Sequence, residues 1–337
     1  MSTNPIILPD RPAIEGLCFH SICGEKDADA LYAVHAGRIA HDGVDHFSRF
    51  EDLPSRDGLR AAVAQAVAAQ QQNQWLVAQI NEQVVGYSQL ESWYEEDGRW
   101  VYLILGWVLP ERRGRGIGTA MLHWGEETAR QLAAAQHPNE TFEFAANASS
   151  TEQDTTALLL HEGYYVGFTS LTMELDISAP LSVHILPAGI EVRPVLPEHY
   201  PLIAASIIEA YQHAFADNRF RERYDRVAYY AAKLSAPKLD PTLWQVAWDG
   251  HQVVGQVLPL IENGRAEVEE VSIRPSWRRR GLARALLTRA LQGVRERGAE
   301  VIWLQTIAEY PTRAIDLYRT VGFRVLKEFS RYRKSLA

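Results

Sequence analysis

A stretch near residue 75 returns near residue 244. "QWLVAQINEQVVGYSQL" at 74–90 and "LWQVAWDGHQVVGQVLPL" at 243–260 share Trp75/Trp244, Val77/Val246, Ala78/Ala247 and Gln83–Gly86/Gln252–Gly255, at an offset of 169. "WVYLILGWVLPERRGRGIGTAMLHWGEETARQLA" and "AEVEEVSIRPSWRRRGLARALLTRALQGVRERG" match through Arg113 and Arg278 at an offset of 165, and "TALLLHEGYYVGF" and "AIDLYRTVGFRVL" through Gly163 and Gly322 at an offset of 159. Small insertions, about four residues of them around "SWYEEDGRW", explain the drift. Self-similarity at this distance means that one folding unit is built twice.

Each copy opens its shared part with two alternating stretches joined by a short turn, "INEQ" or "WDGH", the pattern of a hairpin. A longer apolar strand, a proline, an Arg/Gly cluster and a helical repeat follow. Each half thus reads strand, helices, strands, long strand, helix, strand, helix, strand, which predicts an α/β class with a mixed α+β sheet in each half. The prolines, glycine and serines of "LDISAPLSVHILPAGIEVRPV" set the boundary, with an N-terminal domain over 1–178 and a C-terminal domain over 188–337.

With 337 residues, 47% of them hydrophobic, the chain has core enough for two domains. A net charge of −8 argues against nucleic acid or an anionic membrane as partner, so the basic clusters are local features. No apolar run approaches the length of a membrane span, about 20 residues. "MSTNPIILPDRPA" lacks the pattern of a leader, which predicts a cytoplasmic protein. Cys18 and Cys23 cannot make a disulfide framework. With His20 they form an incomplete metal set, and His41, His46 and His123 lack ligand spacing, so no metal is expected.

In the second copy "VEEVSIRP" reads as a strand ending at Pro275. From Leu282 the residues Leu286, Ala290 and Val294 recur at helical spacing. The cluster Arg278, Arg279, Arg280 and Gly281 therefore lies at a helix start, where unpaired N–H groups and the helix dipole favour a bound pyrophosphate. The first copy repeats the design with Arg113, Gly114, Arg115, Gly116 and Gly118. A P-loop is excluded by the missing Gly-Lys-Ser/Thr ending, and the dinucleotide fingerprint by Thr119 at its last glycine.

The two segments "VLPERRGRGIG" and "IRPSWRRRGLA" resemble the Arg/Gln-x-x-Gly-x-Gly/Ala motif of the GNAT N-acetyltransferase superfamily, and "AIDLYRTVGF" at 314–323 resembles its second signature. The resemblance covers nearly the whole chain as two tandem domains, similar in layout to the mycothiol synthase type. It implies acetyl-CoA as cofactor. Its pyrophosphate would lie on Arg278, Arg279, Arg280, Gly281, Leu282, Ala283 and Arg284, and its pantetheine along Val271, Ser272 and Ile273. The first copy offers Val108, Arg113, Gly114, Arg115, Gly116, Ile117, Gly118 and Thr119 in the same capacity.

Acetyl transfer to an amine needs a base for the ammonium proton and an acid for the departing thiolate. The second copy supplies Glu267, Glu269 and Glu270 on the strand and Tyr318 on the last helix. Glu267, eleven residues before Arg278, stands where the mycothiol synthase type keeps its base, which makes Glu267 the expected base and Tyr318 the expected acid. Strand alternation sets Glu267, Glu269, Val271 and Ile273 on one face and Glu270 on the other. Glu269 and Glu270 stay open as alternatives. Tyr318 also fits an apolar stripe with Ala314, Leu317 and Val321.

The first copy carries Leu159 for Tyr318 and, at an offset of 165, Tyr102 for Glu267. The C-terminal domain is therefore expected to be catalytic, and the N-terminal one structural or a non-catalytic CoA binder. The expected acceptor is a small-molecule amine. The chain is expected to be a monomer with a pseudo-dimeric domain pair, or a homodimer. The alternatives are a non-catalytic acyl-CoA-binding or regulatory protein, and a protein or peptide N-acetyltransferase. "HDGVDHFSRFED" at 41–52 reads as a lid or an inter-helix loop, and 211–225 as a frame for the acceptor site. Pro311 stands where the family's usual asparagine would be, which leaves one cofactor contact without its residue.

Overall fold

The computed structural model describes residues 5–45, 48, 50, 51, 53–95, 98–179, 181–211, 226–236, 239–262, 264–309 and 312–335. The duplication shows in the element order. The first repeat runs β1 (Leu17–His20), α1 (Ala28–Asp42), α2 (Arg56–Ala68), β2 (Trp75–Ile80), β3 (Gln83–Tyr94), β4 (Arg99–Val108), α3 (Ile117–Gln136), β5 (Thr141–Ser149), α4 (Gln153–His161) and β6 (Tyr165–Asp176). The second runs β7 (Glu191–Val192), α5 (Tyr200–Ala210), α6 (Arg226–Leu234), β8 (Gln245–Asp249), β9 (Gln252–Glu262), β10 (Arg265–Ile273), α7 (Leu282–Glu296), β11 (Val301–Ile307), α8 (Ala314–Val321) and β12 (Arg324–Ser335). Element for element the order is the same.

Compactness divides the chain differently from the repeats. One unit comprises the residues up to Phe168 together with those from Phe329 onward, and the other is Thr169–Glu328. The prolines and glycine of the linker had placed the division at 178–188. The difference arises because each repeat gives its last strand away. In unit 1, β5 pairs antiparallel with β12, from Phe329↔Ser149 to Ser335↔Glu143. In unit 2, β11 pairs antiparallel with β6, from Ile307↔Ser170 to Val301↔Asp176. Unit 1 thus has the strand order β1-β2-β3-β4-β5-β12, and unit 2 has β7-β8-β9-β10-β11-β6. Local pattern fixes where a strand begins and ends, and says nothing of which edge it joins.

Both sheets are mixed, with β4–β5 and β10–β11 parallel and the other pairings within each unit antiparallel. The parallel ladders are short. They end at Leu103↔Ala145 and Val268↔Leu304, leaving the C-terminal ends of each strand pair apart. Those are the ends from which α3 and α7 start. Leu282, Leu286, Ala290 and Val294 of α7 are all buried in the core of unit 2, as their spacing requires.

The glycine that closes each "QVVG" is demanded by a close strand approach. A Cβ on Gly86 would lie 2.7 Å from the Trp107 carbonyl oxygen, and one on Gly255 would overlap Ile273 Cδ1. At Gly86 only a residue without a side chain fits, and at Gly255 a Cβ would make the Ile273 side chain shift. Both hairpins carry a bulge at the same place, at Ala78/Gln79 and Ala247/Trp248.

One bulge is not shared. β9 and β10 shift register between Val268 and Glu270, whereas β3 and β4 pair without a break from Gly86↔Val108 to Tyr94↔Trp100. The additional residue, Glu269, resets the alternation. Glu267, Glu270 and Ser272 therefore share one face, and Ala266, Val268, Val271 and Ile273 pack into the core on the other. This corrects the face assignment made from strict alternation, which had separated Glu270 from Glu267. It also moves the correspondence between the repeats: Glu267 pairs with Leu260 as Leu103 pairs with Glu91, so Leu103, not Tyr102, occupies the place of Glu267.

Candidate active site

In both units the strand bearing the Arg/Gly cluster leads through a single 3-10 turn into a helix whose N-cap is a left-handed glycine, Gly116 with φ 84° and Gly281 with φ 80°. Neither helix start has a side-chain cap. The first backbone N–H groups, of Ile117, Gly118 and Thr119 in α3 and of Leu282, Ala283 and Arg284 in α7, are left to face a ligand. This geometry fits a pyrophosphate.

The leading arginine of each cluster is engaged elsewhere. Arg113 Nε donates to the Val108 carbonyl at 3.0 Å, and its Nη atoms reach the two carboxylate oxygens of Asp42 at 2.7 and 2.8 Å. Arg278 Nε donates to the Ile273 carbonyl at 3.1 Å and Nη2 to the Ala210 carbonyl at 2.5 Å. Asp42 and Ala210 are the last residues of α1 and α5. Both arginines brace the loop to the first helix of their repeat, which leaves the backbone N–H groups to meet a phosphate. Arg280 lies over the Trp277 ring at 4.6 Å, Arg115 is exposed, and Arg279 has φ 62°, the left-handed conformation that Gly114 takes in unit 1.

Unit 2 gathers its polar groups on β10. The Glu270 carboxylate accepts a hydrogen bond from Tyr211 Oη at 2.8 Å, and that hydroxyl lies 3.3 Å from the Val271 carbonyl. Gln256, buried on β9, donates to Ser272 Oγ, and Ser272 also bonds Glu270. Burial pushes the Glu270 carboxyl up. Hydrogen bonds from Tyr211 and Ser272 and the charge of Lys233 pull it back only in part. Glu269, in the bulge, pairs with Lys233 at 3.6 Å. Tyr318 is buried on α8, edge-on to Phe323 at 6.0 Å. The side chain of Val271 points to the core and that of Ser272 to the face of Glu270, so these two expected cofactor residues point opposite ways. Residues 212–225 and Pro311, expected from the sequence to frame the acceptor and to leave a contact missing, lie outside the described residues.

Unit 1 holds a cavity of about 410 Å³ between the diverging ends of β4 and β5, with Ile104, Gly106 and Val108 on one strand and Ala146 and Asn147 on the other. Arg113, Gly114, Gly116, Gly118 and Thr119 line it from the loop and helix start, and Leu158 and Leu159 from α4. Leu159, the counterpart of Tyr318, thus faces the cavity. Ile117 is buried beneath. Asp42, Tyr211, Gln256 and Asn147 were not singled out in the sequence. For Gln256 there was a signal, a lone carboxamide inside the apolar run "VVGQVLPL".

The pattern of the "Acetyltransferase (GNAT) family" matches residues 43–140 and 204–323, more than half of the chain and once in each repeat. The chain belongs to the GNAT acetyltransferase family. It is similar to the mycothiol acetyltransferase of Cellulomonas flavigena, at 27% identity over 310 residues that cover 88% of this chain and 82% of that protein. Among solved structures it resembles a GCN5-related N-acetyltransferase from Sphaerobacter thermophilus (TM-score 0.68, 21% identity, 98% of this chain and 97% of that one). It also resembles a tandem GNAT protein of the clavulanic acid biosynthesis pathway (TM-score 0.57, 16% identity, 95% and 98%). The fold is therefore a tandem GNAT fold and the activity acetyl transfer, for which the family uses acetyl-CoA. No helix among the described residues is long and apolar enough to cross a membrane.

Proposed function

We propose that the chain transfers the acetyl group of acetyl-CoA to the primary amine of a small molecule, that the chemistry takes place in unit 2, and that unit 1 holds CoA without turnover. The observation that carries this is the asymmetry of the duplicate. On β10 the bulge sets Glu267 and Glu270 side by side on one face, and α8 brings Tyr318 to the place whose counterpart, Leu159, faces the cavity of unit 1. Unit 1 has leucine at both positions, Leu103 and Leu159, and can neither take up nor deliver a proton there.

In this reading Glu267 takes the ammonium proton and the amine nitrogen attacks the thioester carbonyl; as the carbon–sulfur bond breaks, Tyr318 protonates the sulfur and its phenolate takes the second proton from the nitrogen, which leaves the amide. The Glu269 carboxylate pairs with the exposed Lys233 at 3.6 Å, a contact a base there would have to give up on taking a proton. The similarity to the mycothiol acetyltransferase of Cellulomonas flavigena supports a small-molecule acceptor. Val108, Gly114, Gly116, Gly118 and Thr119, with Gly281, Leu282, Ala283 and Arg284 in unit 2, are the proposed cofactor contacts.

A cavity of about 410 Å³ in unit 1 also favours a second role for that half, as a CoA-binding module that stabilises or regulates the chain. Thiol release measured across a panel of primary amines tests the main reading. Turnover lowered about 10²- to 10⁴-fold by Glu267→Gln and by Tyr318→Phe supports it. Turnover that survives both substitutions, or CoA binding with no turnover on any amine, overturns it.

A further inference from the structure

On the other side of Gly106 and Asn147, unit 1 has a second, smaller cavity of about 50 Å³, and those two residues line both spaces. Arg331 of β12 lies in its wall with Arg38, Phe50 and Phe329. β12 belongs to the second repeat by sequence, so the strand exchange is what delivers this arginine to unit 1.

Arg331 differs from the other cations of its strand. Arg333 pairs with Glu95 at 3.0 Å and Lys334 with Glu126 at 2.7 Å, while Arg331 has no carboxylate partner among the described residues. It lies over the Phe50 ring at 5.6 Å and donates to the Phe50 carbonyl at 3.5 Å. Burial, with the charge of Arg333 beside it, lowers its pKa. The two carboxylates in the cavity wall are engaged: Glu152 holds Arg38 at 3.2 Å and the Ser149 N–H at 2.9 Å, and Glu51 accepts from the Asp45 N–H at 2.7 Å.

The duplicate shows that the fold does not require a cation here. Arg331 pairs with Asn147 as Thr172 pairs with Gln305 in unit 2. A partly buried guanidinium beside a cavity, where the same fold elsewhere uses threonine, is suited to an anion that enters from that cavity. Roughly 10–15 Å³ takes one water by a comparable measure, so the space fits a carboxylate and little more.

We propose that this pocket binds a carboxylate through Arg331, with Asn147 at its entrance. The carboxylate is carried either at the end of the acyl group of a thioester lying in the larger cavity, or by a free small acid. The first source rests on unit 1 holding CoA as proposed above, and the second does not.

Calorimetric titration of the full chain with acetyl-CoA, succinyl-CoA and succinate, in wild type and Arg331→Thr, decides it. The expected result is about a tenfold preference for succinyl-CoA over acetyl-CoA, which identifies the thioester source, or succinate binding without CoA, which identifies the free acid. Arg331→Thr, which copies the threonine that unit 2 carries at 172, removes either signal and leaves the acetyl-CoA titration unchanged. Arg331→Lys, which keeps the charge and loses the fork, weakens it several-fold. Equal affinity for the two thioesters together with no succinate binding overturns the pocket, as does a carboxylate preference that persists in Arg331→Thr. A chain that binds succinate and a single acetyl-CoA, at a stoichiometry Gly106→Trp does not change, overturns the cofactor reading of unit 1 while upholding the pocket.

Discussion

Arg113 and Asp42 form a two-pronged ion pair, at 2.7 and 2.8 Å, that fastens the loop after β4 to the end of α1. Asp42 is fully buried, and Arg38 and His41 also reach it. Burial by itself would raise this carboxyl. Arg113, His41 and Arg38 outweigh that effect and hold it below its ordinary value of 3.8. The pair's contribution to stability is therefore complete above that ordinary value and is lost as the pH falls through the lower, folded-state one. Asp42→Asn is expected to destabilise unit 1 by about 1–3 kcal/mol, because it leaves the guanidinium with only its longer, more exposed contact to Asp154 at 3.6 Å. Urea unfolding at neutral pH measures the loss, and the same experiment at acid pH shows the gap from wild type closing.

Arg279 has φ 62°, and its counterpart in the other repeat is Gly114 with φ 68°. A residue with a side chain is strained in this region. Arg279→Gly is expected to raise the stability of unit 2 by about 0.5–1 kcal/mol. Thermal unfolding checks the sign, and a lower midpoint would contradict the strain argument. Gly281→Ala runs the other way. Space is open around its Cβ, yet φ 80° makes the alanine costly, and the entry to α7 is expected to loosen.

Much of this was legible in the sequence because it is local. Helix α7 could be read from Leu282 to Val294 by spacing, the two hairpin turns from "INEQ" and "WDGH", and the loop-helix device from its repetition. The exchange of β6 and β12 was not legible, since both strands satisfy the same alternation whichever edge they join. The bulge at Glu269 was hidden too. A single additional residue in a strand has no composition signal, and it silently reversed the face of Glu270 and replaced Tyr102 by Leu103 as the counterpart of Glu267. Asp42 was missed because the partner of Arg113 lies 71 residues away in the chain.

The unit 1 cavity gives a test that does not depend on turnover. A Cβ at Gly106 would meet only ordinary contacts, Ser88 Oγ at 3.8 Å and Met121 Cε at 3.9 Å, and unit 2 has valine at this place, Val271. Gly106→Val is therefore expected to fold with little change in melting temperature. Because unit 2 is proposed to bind acetyl-CoA with valine here, a larger side chain is needed to fill the space, and Gly106→Trp is expected to lower the calorimetric stoichiometry of CoA from two to one per chain if unit 1 holds it. A stoichiometry that is unchanged by Gly106→Trp would remove CoA from unit 1.

Glu270 can be told apart from Glu267 by pH. Burial raises its carboxyl above the ordinary 4.5. Protonated Glu270 therefore favours the folded chain, and the stabilisation present below the ordinary value is lost as the pH rises through the folded-state one. Glu270→Gln, fixed in an uncharged form, is expected to remove that slope and to make unit 2 more stable at neutral pH, as urea titrations across a pH series would show. Its effect on catalysis depends on which glutamate is the base. With Glu267 as the base, the substitution leaves the proton acceptor in place and turnover is retained. If Glu270 were itself the base, the same substitution would lower kcat about 10²- to 10⁴-fold at every pH, and Glu267→Gln would be the milder change.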